Sequence, residues 1–180
     1  PSQLFRMTWK SSEQVNRSGL KVVLSGEGAD EIFWGYDTYR ELMIRLMWSR
    51  NTSSKWRPER FREIFPYVKA YQEPRGLALV KKFYAADRDN VDDLYYSLRP
   101  RWRANSSLNA LMHDRLRPKQ DMEKLIGQGI SHISSDFETL NHFQKYQLLE
   151  MQGLLAGYLL SSQGDRMLMS HSVEGRPPFL

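Results

Sequence analysis

The stretch "KVVLSGEGADEIFWGYDTY", Lys21 to Tyr39, decides how the rest of this chain is read. Its "VVL" is apolar, largely β-branched and bounded by glycine on both sides, so Lys21 to Leu24 predicts a short buried strand. Ser25, Gly26, Glu27 and Gly28 follow as a loop. Ile32, Phe33, Tyr36, Tyr39, Met43 and Leu46 then recur at steps of three and four, which predicts one helix from about Glu31 to Met47. A loop at the carboxyl end of a parallel strand, leading into a helix, lies where open α/β sheets bind ligands. Glycines there let the backbone approach a phosphate, and free N–H groups at the helix start favour an anion.

Two familiar glycine patterns are excluded. No Gly-Lys-Ser/Thr follows, as a P-loop requires, and Glu31 stands where a dinucleotide fingerprint has its third glycine. The loop carries acids instead, and acids repel phosphate unless a cation lies between them. A Mg²⁺ bridging a carboxylate and a polyphosphate resolves that conflict. The competing reading is a tight turn whose Asp30 and Glu31 only complement the helix dipole.

Away from this stretch the pattern is helical. Residues 2–18 suit a helix ended by Gly19. Pro58 opens a helix through Phe65, and Pro66, Pro74 and Pro100 divide the middle into short helices over about 75–86, 91–98 and 106–115. A further short helix is expected over 121–126, then a loop, "GQGISHISSD". The longest periodic segment, Phe137 to Leu160, predicts one helix buried toward its end. A second charged cluster follows in "SSQGDRMLMSHSVEGRPPFL", Ser161 to Leu180. Its Asp165, Arg166, His171, Glu174 and Arg176 lie among Met and Phe, and buried charges need partners or a ligand. A lone histidine such as His171 is more often satisfied structurally than catalytic.

At 180 residues the chain can bury roughly two thirds of its unfolded surface. It has no cysteine, which removes disulfides, thiolate zinc sites and cysteine nucleophiles. No apolar run approaches the roughly 20 residues of a membrane helix, and no leader pattern opens the chain, so a cytoplasmic protein without membrane attachment is expected. The formal charge of +5 is modest. The Trp/Arg-rich patches "WSRNTSSKWRPERFR" and "RPRWRAN" leave nucleic-acid binding as a weaker alternative. Pro1 at the start and "RPPFL" at the end suggest an internal fragment.

Together the two clusters resemble the synthetase domain of glutamine-dependent asparagine synthetases and related amidotransferases. "VVLSGEGADEIFWGYDTY" is similar to that family's "SGEGADE" strand-loop-helix signature, and "GDRMLMSHSVEGRPPFL" resembles its second signature. The aromatic helix and "PRWR" look closest to asparagine synthetase-like enzymes of biosynthetic clusters. The resemblance implies an α/β, mostly helical fragment of an ATP pyrophosphatase domain, adenine nucleotide α-hydrolase-like, with an incomplete parallel sheet. It divides into strand, loop and helix (1–50), a helical insert (51–135), and a long helix with the second signature (136–180). It also implies ATP and Mg²⁺ as cofactors and a small-molecule carboxylate, aspartate or a related acid, activated as an acyl-adenylate. Ammonia from a glutaminase domain absent from this sequence would then displace AMP.

By position, Ser25, Gly26, Gly28 and Glu31 match the nucleotide side of that site, and Asp30 matches the metal-binding acid. Glu27 is expected near the activated carboxylate. Asp165 and Arg166 are expected, with Glu27, among the catalytic residues, one or the other returning to within a side-chain layer of Ser25 to Asp30, and Glu174 and Arg176 are expected to line the substrate pocket. The sequence departs from the family in lacking "SGGxDSS" and a catalytic lysine after the second signature, in Trp34 where glycine is usual, and in Pro177. The fragment alone is therefore expected to be inactive. A non-catalytic interaction module is the other alternative.

Overall fold

A computed structural model describes residues 3–109, 111–116, 122–131 and 135–180. In chain order it forms α1 (Gln3–Arg17), β1 (Val22–Leu24), α2 (Ala29–Phe33), α3 (Asp37–Ser49), α4 (Phe61–Ile64), α5 (Lys69–Gln72), α6 (Pro74–Ala85), α7 (Arg99–Asn109), α8 (Met122–Ser131), α9 (His142–Glu150), α10 (Arg166–Met169) and β2 (Glu174–Arg176). The protein is mostly helical, and the described residues contribute one two-stranded parallel sheet, β1 with β2. Among them no helix is long and apolar enough to cross a membrane.

The chain divides into two compact units, Pro1–Gly35 with Gln147–Leu180, and Tyr36–Tyr146. In the first, Val22 pairs with Glu174, Val23 with Gly175 and Leu24 with Arg176. Gly19 ends α1 with φ 76°, as its position in the sequence predicts.

The second unit has a continuous apolar core of Ile44, Trp48, Phe61, Ile64, Leu77 and Val80. Phe61 stacks on Tyr84 at 4.4 Å, and each fully buried large apolar side chain here contributes about 1.5–3 kcal/mol. Inside the same unit Arg45 is 1% exposed, donates to the Tyr96 carbonyl at 2.8 Å and lies 4.1 Å from that ring's centroid. Glu41, one helical turn earlier, is 4.0 Å away. Burial raises the Glu41 carboxyl above its ordinary range despite Arg45, and burial also raises the Tyr84 phenol. The Trp/Arg patches make further internal contacts: Arg57 donates to the Met47 carbonyl, Arg88 lies over Trp48, and Arg99 pairs with Asp93 and Glu123.

Several elements differ from the periodicity reading, each for a local reason. The single helix expected over 31–47 breaks at Trp34, whose φ of 57° is left-handed and whose N–H bonds back to the Asp30 carbonyl. Glycine is the residue suited to that conformation, which accounts for its being usual in the resembling signature. Residues 91–98 form successive turns instead of a helix. There the Asp93 side chain accepts from the Tyr95 N–H at 2.9 Å, a local bond that competes with the helical ladder. Pro100 sits in the first turn of α7, where its missing N–H costs nothing, so that helix runs from Arg99 to Asn109 instead of over 106–115.

The expected loop from Gly127 is helical as far as Ser131; its residues 132–134 and Asp121 lie outside the described residues. The long helix begins only at His142, because Asn141 caps it. The Asn141 Oδ1 accepts from the N–H groups of Phe143 and Gln144, and Gln144 Oε1 accepts from the Asn141 N–H, all at 3.0 Å. Beyond Glu150 it continues as wider π-type turns over Met151–Asp165, a stretch holding Gly153, Gly157 and Gly164, which weaken the α-helical preference.

Candidate functional site

The site grows from the end of β1. The Glu174 N–H donates to the Lys21 carbonyl at 2.8 Å and the Ser25 N–H donates to the Arg176 carbonyl at 3.2 Å. These parallel-sheet bonds place Arg176 beside Leu24 and the first loop residue. Gly28 then turns the chain into α2 with φ 87°. A Cβ there would lie 2.5 Å from Leu180 Cδ2, a side chain that would have to swing aside, and the left-handed backbone is what requires glycine. Phe179 meets Phe33 edge to face at 5.7 Å, so the last residues of the second signature lie on the glycine loop and on α2.

The end of α2 is held as firmly. Gly35 donates to the Asp30 carbonyl at 2.9 Å, and Gln147 Nε2 donates to the carbonyls of Glu31 and Ile32, each at 2.9 Å. The Asp30 carboxylate lies over the Gly35 backbone, close enough that any Cβ at position 35 would overlap Oδ1. Gly35 and Gln147 were not singled out in the sequence. Gln147 lies more than a hundred residues from its partners, and no spacing rule reaches that far.

Three acids gather in this loop. Glu31 is buried, Glu27 half-buried and Asp30 exposed. Partial burial, with the neighbouring charges of Glu31 and Asp30 adding to it, raises the Glu27 carboxyl above its ordinary range. Like charges gathered in one loop are relieved by a cation. Among the described residues no group of three or more His, Cys, Asp or Glu side chains forms a ready metal cage. One or two carboxylates of this loop would be enough for a Mg²⁺ held beside phosphates, its remaining positions filled by phosphate and water.

The second cluster is distributed differently from its expected burial. Asp165, Arg166, Glu174 and Arg176 are exposed, and Glu174 pairs with Arg176 at 2.7 Å. Asp165 borders an open depression of about 560 Å³ together with Lys21, Leu168, Met169, Ser172, Val173, Glu174 and Gly175. None of the residues from Ser25 to Glu31 borders it. The strand pairing therefore brings Arg176 to the loop, while Asp165 shares a hollow with Lys21, the residue just before β1. His171 is half-buried and hydrogen-bonded to α1.

A parallel strand pair opening through a glycine-acid loop into a helix is an α/β ligand-site arrangement. The chain belongs to the asparagine synthase family, whose model matches residues 2–180. It is similar to amidase chry2 of Gibberella zeae, 24% identical over 180 aligned residues covering 94% of this chain and 25% of that protein. A shorter similarity, 56% over 32 residues (18% of this chain), joins it to a Methanocaldococcus jannaschii protein named as a glutamine-hydrolyzing asparagine synthetase, 6% of which is covered. The chain thus spans a quarter or less of the length of these curated relatives. No solved structure matches it.

Proposed function

We propose that this chain supplies part of an ATP-dependent amidotransferase, within an ATP pyrophosphatase-type domain that continues beyond it. The observation that carries the reading is the cluster of Glu27, Asp30 and Glu31 at the carboxyl end of a parallel strand, with Glu27 raised by partial burial and, beyond that, by its acidic neighbours. Membership of the asparagine synthase family supports it. Asp30, the exposed acid of the three, would hold Mg²⁺. The backbone of Ser25, Gly26 and Gly28, with Glu31 buried beneath, would face the nucleotide. When bound, Mg-ATP supplies the adenylyl group that activates a carboxylate. Glu27 would orient that carboxylate, and Glu174 and Arg176 would line its approach along β2. Asp165 and Arg166 would support the same strand. Ammonia, the nucleophile, would come from a glutaminase domain elsewhere in the protein, and the acceptor would be aspartate or a related acid.

The test is Asp30→Asn in the longer polypeptide that carries these residues. ATP–pyrophosphate exchange should fall at least a hundredfold, on the order of 3 kcal/mol, while glutamine hydrolysis is retained. Wild-type exchange by Asp30→Asn at limiting Mg²⁺ would remove the metal role and leave the acid as a complement to the helix start.

A further inference from the structure

We propose that His171 is a positioning residue: it carries a proton on Nδ1 and through it fastens the turn before β2 to α1, setting where the second strand begins. Nδ1 faces three oxygens. Ser12 Oγ is at 2.8 Å, and Ser170 Oγ and the Met167 carbonyl are each at 3.2 Å. The carbonyl can only accept. Each hydroxyl has one proton and a carbonyl within reach to take it, the Met167 carbonyl 2.7 Å from Ser170 Oγ and the Trp9 carbonyl 2.8 Å from Ser12 Oγ, and we place both protons there. What points at the ring nitrogen is therefore lone pairs, and only an N–H at Nδ1 makes that arrangement attractive.

The backbone of the same residue is tied to the same helix. The His171 carbonyl accepts from Asn16 Nδ2 at 2.7 Å, and the Trp9 ring meets the imidazole edge to face at 4.4 Å. Trp9, Ser12 and Asn16 lie three and four residues apart, on one face of α1. The turn they hold is strained, since Ser172 has φ 54°, and such a residue persists where its surroundings over-determine it. Val173 and Glu174 follow directly, and the Glu174 N–H opens the pairing with Lys21.

The same contacts exclude a nucleophilic Ser12–His171 pair. An activated serine needs a ring nitrogen that accepts its proton and a route for substrate. Here the Met167 carbonyl at 3.2 Å favours a ring that donates from Nδ1, the Trp9 carbonyl is within reach of the Ser12 hydroxyl, and at 1% exposure Ser12 offers no route for substrate.

The test uses the 180-residue chain labelled with ¹⁵N. Long-range ¹H–¹⁵N correlation of the wild-type ring should show the proton on Nδ1; a ring with its proton on Nε2 alone overturns the proposal. Two variants then separate a latch from general packing. His171→Asn places an amide N–H near the Nδ1 position, whereas His171→Gln places it near Nε2. Amide exchange at Glu174 and Ser25 should accelerate about five- to twentyfold in His171→Gln and in Ser12→Ala, stay near wild type in His171→Asn, and be unchanged at Ile44 and Leu77. Equal acceleration in the Asn and Gln variants, acceleration spread over both units, or none at all overturns it. If His171→Gln does not fold, the wild-type ring spectrum and Ser12→Ala decide.

Discussion

Gly35→Ala tests whether the Asp30 carboxylate lies where the loop geometry places it. The new methyl would overlap Asp30 Oδ1 and stand 3.0 Å from Cγ and 3.2 Å from Cα of the same residue. Carbon atoms rest at about 3.5–4.0 Å, so the carboxylate must leave and the backbone must give by a few tenths of an ångström. Turning the side chain off its rotamer costs roughly 0.5–1.5 kcal/mol, and overpacking costs roughly 1–3 kcal/mol. Asp30 is exposed and can swing into water, so the lower part of that range applies, about 1–2 kcal/mol. Urea denaturation of the chain should show a midpoint lowered accordingly. Gly26→Ala is the internal control, because nothing lies within 4 Å of its Cβ position, and it should stay within about 0.5 kcal/mol of wild type. As Asp30 moves away, the Glu27 carboxyl should also titrate lower. Matching midpoints for the two alanine variants, with the Glu27 titration unchanged, would refute the placement.

Two further predictions concern buried or clustered charge. Arg45→Met should lower stability by about 3–5 kcal/mol, because Glu41 stays buried without its cation, and Glu41→Gln in the same chain should recover at least half; thermal denaturation of the single and double variants checks both. The Glu27 carboxyl is raised in the folded chain from an ordinary value of 4.5, so its contribution to stability is fullest below that value and is lost as pH climbs through the folded one. Carboxyl ¹³C titration should show Glu27 above the ordinary range and Asp30→Asn bringing it down, and a Glu27 that titrates at or below 4.5 would contradict the acid cluster.

The strand at Val22–Leu24 and the loop after it were legible in the sequence because each rests on short-range chemistry: β-branched residues between glycines, and a glycine with a left-handed φ at 28. The strand's expected burial is not found, since Val22 and Leu24 are exposed. Its partner β2 was not legible as a strand. "EGR" has neither the apolar alternation nor the length that marks one, and its pairing is fixed by β1 and by the turn at His171. The break after Phe33 was hidden because periodicity registers apolar spacing and is blind to a tryptophan forced into a glycine conformation. In the candidate site the acids were visible as residue types. The restraints that hold them, Gly35 against Asp30 and Gln147 on the α2 carbonyls, depend on contacts that no spacing in one sequence encodes. The second signature drew attention through its charges, but the side chains that its fold engages most closely are His171 and Val173.

The pairing of Val22 with Glu174 has a consequence for synthesis. The first strand leaves the ribosome about 150 residues before its partner, roughly 8–30 s at 5–20 residues per second. Throughout that interval the residues of the second unit are contiguous and can complete their own core, whereas the β1–β2 pairing must wait. The pairing that anchors the glycine-acid loop thus forms only after the second unit can already be packed, and the segment made early and paired late is the one exposed longest to wrong partners during translation.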